Sequence, residues 1–244
     1  MPDGGSADQP GLSHHPAGGQ AAGPDEAERR SRRSAITELG DALRELVELA
    51  VATEAGEDVL RRAAAQLREA GVPLGRSTRT RAELPSADDV LGGFRMYNPV
   101  SGSGSGLAPP LHIQLAGDEI VGTCTLGLAF EGPPTFAHGG VSAMLLDQLL
   151  GYATSAASRP GMTVKLETRY RAPVPLQTPL RLSARVTEVA GRRVTTHGVI
   201  TTAAEPDRVL VEATGVFVTL RPDQAASLFG GVRPDAADPR VGHD

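Results

Sequence analysis

The chain has 244 residues, 40% of them hydrophobic, which suffices for one or two domains with a real core. A formal net charge of −5 and few aromatic residues give no reason to expect a nucleic-acid partner. The single cysteine, Cys124, excludes an internal disulfide. The N-terminus lacks a signal-peptide layout, and no apolar run is long enough to span a membrane. We therefore expect a cytoplasmic protein without a membrane anchor.

The first part of the chain divides into two segments. Residues 1–33 are rich in Gly, Pro, Ala, Asp and Ser, and too little apolar surface can be buried there, so they are predicted to be disordered. From Ser34, apolar residues recur at three- and four-residue steps until residue 72, with a break at Gly56. This pattern predicts a helical hairpin or one kinked helix over residues 34–72. We expect its apolar stripe to pack on the sheet or on a partner subunit; a docking helix for another protein is the alternative.

Residues 73–110 are predicted to be a linker, because residues 101–106 alternate Ser and Gly as flexible linkers do. Alternating apolar and polar residues then predict two strands, over residues 111–116 and 120–130. Cys124 lies in the second strand. It is interpreted as a small buried side chain rather than a nucleophile, because no partner base is suggested nearby.

The stretch 135–153 is the one around which the rest of the chain is organised. A loop ending in His138, Gly139 and Gly140 runs into a segment that is apolar on nearly every face, which predicts a helix buried on all sides. Asp147 lies within this helix, where an ionisable group is costly unless it is paired or used. Unpaired N–H groups at the helix start could hold an oxyanion. Equally, the glycines could only form a tight turn, and Asp147 could be a satisfied polar group of the core.

Four further strands are predicted after this helix. Residues 162–171 alternate apolar and charged side chains, as in an antiparallel sheet with one solvated face. The other three strands are predicted over residues 180–186 and just beyond, 194–203 and 209–220, and residues 221–244 are predicted to be a disordered tail. One helix wrapped by one antiparallel sheet is the hotdog architecture, an α+β fold, which we expect over residues 111–220.

At this point the sequence resembles the PaaI-like acyl-CoA thioesterases of the hotdog superfamily. The resemblance covers about residues 110–220. It is carried by residues 133–140, Leu146-Asp147, Thr163-Val164 and residues 170–176. A His-Gly-Gly that opens a helix, with an Asp seven residues beyond the second glycine, is fairly specific for thioesterases of this superfamily. Many relatives also carry an Asn several residues before the histidine, and residues 130–136 contain none.

The resemblance implies hydrolysis of an acyl-CoA to a free acid and CoA. Because the sequence offers no cluster of Cys and His ligands, we expect the reaction to need no metal and no cofactor. It assigns stabilisation of the oxyanion to the Gly139 N–H, with the Gly140 N–H as a second contact to the substrate. Asp147 is expected to be the general base or the nucleophile, and Thr163 its hydroxyl partner. His138 is expected to orient the loop by hydrogen bonding, while a catalytic role for it stays open.

Arg169 and Arg171 are the candidate contacts to the CoA phosphates, although charges exposed on a strand are usually only solvated. Two other functions remain as alternatives. A non-catalytic acyl-CoA-binding hotdog protein would have no need of a carboxylate at Asp147. A hydratase or dehydratase would carry its catalytic histidine at a different place in the helix layout.

The spacing of the candidate residues requires a partner subunit. Asp147 is eight residues beyond Gly139, so the two lie about 12 Å apart along one helix axis and cannot flank one carbonyl group. Two helices meeting at a two-fold axis would bring Gly139 of one close to Asp147 of the other. The hotdog proteins that the chain resembles are such dimers, so we expect a homodimer or a dimer of dimers with composite sites.

Overall fold

The computed structural model describes residues 24–88, 95–109, 111–221, 223, 224 and 227. In this part of the chain, six antiparallel strands form one sheet in the order β1-β2-β4-β5-β6-β3. The helices are α1 (Pro24–Ala52), α2 (Glu57–Leu74) and α3 (Gly139–Ala156), and a short 3-10 helix covers Leu128–Phe130. The strands are β1 (His112–Ala116), β2 (Glu119–Thr125), β3 (Met162–Tyr170), β4 (Pro179–Ala190), β5 (Arg193–Thr202) and β6 (Val211–Val218). The predicted α+β hotdog fold is confirmed.

Helix α3 packs across one face of the sheet and supplies the centre of the core. Leu145, Leu146, Leu149 and Leu150 are completely buried, and each stabilises the fold by about 1.5–3 kcal/mol relative to an exposed side chain. The side chains of the strands alternate across the sheet, so only every second residue faces the helix. Leu182 and Ile200 are two such residues, and both are completely buried.

The prediction that α3 is buried on all sides is wrong for the single chain. The sheet covers one side of the helix, whereas Gly140 is exposed and Ala143, Met144 and Asp147 are only partly covered. Apolar residues on every face of a helix indicate that each face would be more stable when buried. A single sheet, however, can cover only one face of the helix. The side that carries Asp147 is therefore open in the single chain.

The second predicted strand is shorter than expected. Strand β2 ends at Thr125, and residues 128–130 form the 3-10 helix instead of continuing to Phe130 as a strand. Gly127 separates the two elements and precedes a tight turn in which the Phe130 N–H donates to the Gly127 carbonyl, 3.2 Å away. The apolar residues of this stretch have the composition of a strand, but the turn after Gly127 ends the strand and starts the 3-10 helix.

The boundary of the N-terminal helical region differs from the prediction. Helix α1 begins at Pro24, so residues 24–33 of the segment predicted to be disordered are helical, while residues 1–23 lie outside the described residues. The charged residues before Ser34 have good helix propensity and stay largely exposed, which composition alone does not distinguish from disorder. The break near Gly56 separates α1 from α2 as the sequence suggested.

The apolar stripe of α2 is not covered in the single chain. Val59, Leu60 and Leu67 are each close to half exposed, and α2 has no buried residue. Among the described residues, α1 rather than α2 contacts the rest of the chain, at the 3-10 helix. The stripe of α2 therefore does not pack on the sheet, and its packing on a partner subunit stays a prediction. None of the helices in the described ranges combines the length and the apolar character needed to cross a bilayer.

The Ser-Gly stretch of the predicted 73–110 linker is closely packed rather than extended away from the fold. The Arg44 guanidinium donates to the backbone carbonyls of Ser103 and Ser105, at 3.0 and 2.6 Å. A side chain at Gly104 would overlap Ile36 of α1, so glycine lets the loop approach the helix. Met96, Val100 and Ala108 are buried beside this loop. Residues 89–94 and 110, and most of the predicted tail 221–244, lie outside the described residues.

Candidate active site

The loop before α3 is closed by a cap from His138. The His138 Nδ1 accepts a hydrogen bond of 3.0 Å from the Gly140 N–H. An imidazole nitrogen that accepts cannot carry the proton, so in this arrangement the neutral ring is protonated on Nε2. The cap also occupies the Gly140 N–H. The Gly139 N–H donates to no acceptor in the described part of the chain, so it is the N–H group left available to a ligand at the helix start.

Tyr170 holds the peptide group between the two glycines from its other end. Its hydroxyl donates a hydrogen bond of 2.9 Å to the Gly139 carbonyl oxygen. Its ring lies over the same residue, since a Cβ added at Gly139 would come within 3.3 Å of the ring carbon Cε1. The Gly139–Gly140 peptide is thus fixed at its oxygen by Tyr170 and at its N–H by His138. Tyr170 belongs to the stretch 170–176 that carries the family resemblance, but its role was missed because tyrosine is common in strands.

Asp147 and Thr163, which the resemblance paired, lie within hydrogen-bonding distance of each other. The Thr163 hydroxyl donates a hydrogen bond of 3.0 Å to Asp147 Oδ1. One carboxylate oxygen is thereby oriented, and Oδ2 has no hydrogen-bond partner among the described residues. Asp147 is partly exposed and Thr163 is exposed in the single chain. The carboxylate is therefore accessible from the side of α3 that the sheet leaves open.

A β-bulge explains how Thr163 reaches α3. Thr163 pairs with Phe217, and Lys165 pairs with the next residue, Val216, so Val164 is an extra residue in β3. The extra residue shifts the alternation by one position. Thr163 therefore faces the helix together with Tyr170, although a regular strand would put them on opposite faces.

Arg169 and Arg171 are not brought together with the other candidate residues. They flank Tyr170 in the sequence, so in a regular strand both point to the face of β3 opposite α3. Arg171 forms an ion pair of 2.7 Å with Glu212, and Arg169 approaches Glu167 at 3.9 Å. Both arginine side chains are more than half exposed.

The described residues contain no cluster of three or more His, Cys, Asp or Glu side chains placed to hold a metal ion.

Cys124 is buried in β2, and burial raises the pKa of its thiol to about 12. Such a thiol stays protonated near neutral pH, where only the thiolate would be a nucleophile. This agrees with the interpretation of Cys124 as a small core residue.

Comparisons with known proteins identify the family. The thioesterase superfamily model matches residues 135–214, which include His138, Asp147, Thr163 and Tyr170. Acyl-coenzyme A thioesterase THEM4 of Xenopus laevis is 34% identical over 97 residues, 39% of this chain and 43% of that protein. The Mus musculus protein of the same name is 31% identical over 99 residues, 40% of this chain and 42% of that protein. The chain thus spans less than half the length of these curated relatives.

A crystal structure of a thioesterase superfamily protein matches much more of the chain. It is 37% identical with a TM-score of 0.67, and the match covers 75% of this chain and 94% of that protein. Residues 111–244 make up little more than half of the chain, so this match also includes part of the N-terminal region. Fold, site motif and extent of similarity agree, and the chain belongs to the thioesterase superfamily.

Proposed function

We propose that this protein hydrolyses acyl-CoA thioesters to a free carboxylic acid and CoA. The observation that carries the proposal is the Asp147 carboxylate, oriented by the Thr163 hydroxyl on the open side of α3. The same helix begins with a Gly139 N–H that has no acceptor among the described residues. The names of the curated relatives support this reaction class, and the resemblance to the PaaI-like thioesterases agrees with it.

The two groups supply the two requirements of thioester hydrolysis. The Gly139 N–H and the positive end of the α3 dipole stabilise the negative charge that develops on the carbonyl oxygen. Asp147 either removes a proton from the attacking water or attacks the carbonyl carbon itself. In the first route the water oxygen bonds to the carbonyl carbon, the carbon–sulfur bond breaks, and the proton taken by Asp147 passes to the leaving thiolate of CoA. In the second route the Asp147 carboxylate displaces the thiolate to form a mixed anhydride, and water then hydrolyses the anhydride to release the acid and restore Asp147 while the thiolate takes up a proton.

The site is proposed to form across a homodimer. Gly139 and Asp147 of one chain are about 12 Å apart along the helix, too far to act on one carbonyl group. The partly covered side of α3 carries Asp147. Strand β3 lies at the edge of the sheet, and no strand among the described residues pairs with its outer side. A two-fold axis beside these elements would cover both and join Gly139 of one subunit to Asp147 of its partner. A dimer of dimers is compatible with the same site.

The candidate contacts to CoA lie at the start of α3 and at the end of β3. Gly140 lies at the helix start, but its N–H is used by His138, so its role is to let the substrate approach the backbone closely. Arg169 and Arg171 remain candidate contacts to the CoA phosphates. Because Arg171 is already paired with Glu212, Arg169 is the better candidate of the two.

A panel of acyl-CoA substrates of different chain length tests the function. We expect release of free thiol by the wild-type protein at a rate well above that of the Asp147→Asn variant. Binding of acyl-CoA without thiol release would instead support a non-catalytic acyl-CoA-binding protein. Hydration of an enoyl-CoA without release of thiol would support the hydratase alternative.

A further inference from the structure

Helix α1 makes a specific contact with the segment that leads to the candidate site. The Glu48 carboxylate accepts hydrogen bonds from the backbone N–H groups of Leu128 and Ala129, at 2.8 and 3.2 Å. Both N–H groups belong to the 3-10 helix Leu128–Phe130, where the first N–H groups have no partner within the helix. Bonds from N–H groups to a carboxylate are about twice as strong as those between neutral groups.

The other end of this 3-10 helix is joined to the cap of α3. The Phe130 carbonyl accepts a hydrogen bond of 2.9 Å from the His138 N–H. Between them, residues 131 and 137 form a β-bridge, which closes the intervening loop on itself. His138 directly precedes Gly139, so a chain of backbone hydrogen bonds runs from Glu48 to the peptide that presents the Gly139 N–H.

An open cleft lies beside this contact. Its volume is about 540 Å³, and its lining includes Val47, Glu48, Leu126 and Phe130. The hydrogen bonds of Glu48 tie α1 to the 3-10 helix at this cleft. A Cβ at position 127 would overlap the Glu48 carboxylate, so a larger residue there would displace the carboxylate from its position beside the two N–H groups.

We propose that Glu48 is a positioning residue for thioester hydrolysis. By anchoring the 3-10 helix, it holds the loop that sets the orientation of His138 and of the Gly139 N–H. The N-terminal helical extension would thus contribute to the rate of the chemical step. The catalytic consequence rests on the proposed function, whereas the anchoring itself does not.

Two variants remove the contact from opposite sides. Glu48→Ala deletes the carboxylate. Gly127→Ala keeps the Glu48 carboxylate but places a methyl group in the space that the carboxylate occupies. The backbone at position 127, with φ −86° and ψ −173°, accepts alanine without strain. Glu45→Ala is the matched control, since Glu45 is an exposed acidic residue of the same helix with no hydrogen bond to the loop among those described. Glu48→Gln retains one acceptor oxygen and should give an intermediate effect.

Hydrogen exchange and steady-state kinetics are measured on the full chain. We expect faster exchange at the amides of Leu128, Ala129 and His138 in Glu48→Ala and Gly127→Ala, with unchanged exchange in Glu45→Ala. The same two variants should lower kcat about tenfold while KM stays within twofold, because misplacing a catalytic group affects the chemical step.

Unchanged exchange at the His138 amide in both variants would overturn the proposal, as would accelerated exchange with a wild-type kcat. Equal losses in Glu45→Ala would also overturn it. If the wild-type protein hydrolyses no acyl-CoA, the proposed function fails. The exchange data then still decide whether Glu48 anchors the loop.

Discussion

The composite site can be tested by mixing two inactive variants. Gly139→Pro removes the N–H proposed to hold the oxyanion, and Asp147→Ala removes the proposed base or nucleophile. Proline suits position 139 because it is the first residue of α3, where proline is favoured. His138 has φ −60° and ψ 134°, the extended conformation that a residue before proline prefers. Each variant homodimer should therefore be folded and nearly inactive.

The expected recovery follows from the helix geometry. With about 12 Å between Gly139 and Asp147 along one helix, an active site needs Gly139 from one subunit and Asp147 from the other. When equal amounts are reassorted at random, about half of the dimers are mixed, and under two-fold symmetry each mixed dimer has one intact site. Roughly a quarter of the wild-type activity should return.

The assay is thiol release from an acyl-CoA after reassortment, with mixed dimers first demonstrated by native mass spectrometry. Gly139→Ala is the matched control. Its Cβ meets the Tyr170 ring at the same 3.3 Å, but it keeps the N–H, so it should remain active where Gly139→Pro is not. If mixed dimers form and no activity returns, the site does not combine residues from two subunits.

Four further outcomes are expected. Asp147→Asn should lower kcat by about a hundredfold or more with little change in KM, and a wild-type kcat would leave Asp147 a purely structural role. Tyr170→Phe keeps the ring over Gly139 but deletes the bond to its carbonyl, so kcat should fall by about two- to tenfold; full activity would show that this carbonyl needs no anchor. Since burial raises the pKa of Cys124 to about 12, thiol reagents near neutral pH should label the native protein slowly, and rapid labelling without denaturant would contradict this. Treatment with EDTA should leave the rate unchanged, and a loss restored by zinc would disprove a metal-free reaction.

The elements of the fold were predictable because their signals are local. Alternation and strand-like runs between turn residues identified the six strands of the described residues, and the continuous apolar run after His138 identified α3. Gly139 and Asp147 stood out at the start and in the middle of the apolar helix, and Thr163 was assigned from the resemblance to the PaaI-like thioesterases. Such patterns indicate which face of a helix or strand is more stable when buried. The sheet and α3 form where these patterns predict them.

Other features depend on residues that are distant in the sequence. The bulge at Val164, which turns Thr163 towards Asp147, is set by pairing with β6 and cannot be read from the alternation of β3 alone. The hydroxyl of Tyr170 acquires its role only where β3 passes the start of α3. Sequence spacing gives the positions of these residues along their own elements, but not the register between elements.

The N-terminal region shows most clearly the difference between local sequence patterns and contacts that form only in the folded chain. From the sequence, the amphipathic period predicted its helices, whereas the Ser-Gly repeat at residues 101–106 predicted only a flexible linker. The tertiary structure packs that repeat against α1, where Gly104 leaves room for Ile36 and Arg44 donates to the loop carbonyls. It also brings Glu48 to the N–H group of Leu128, which lies eighty residues further along the chain. Helix period is a property of one segment, while a close contact requires two complementary surfaces that only folding brings together.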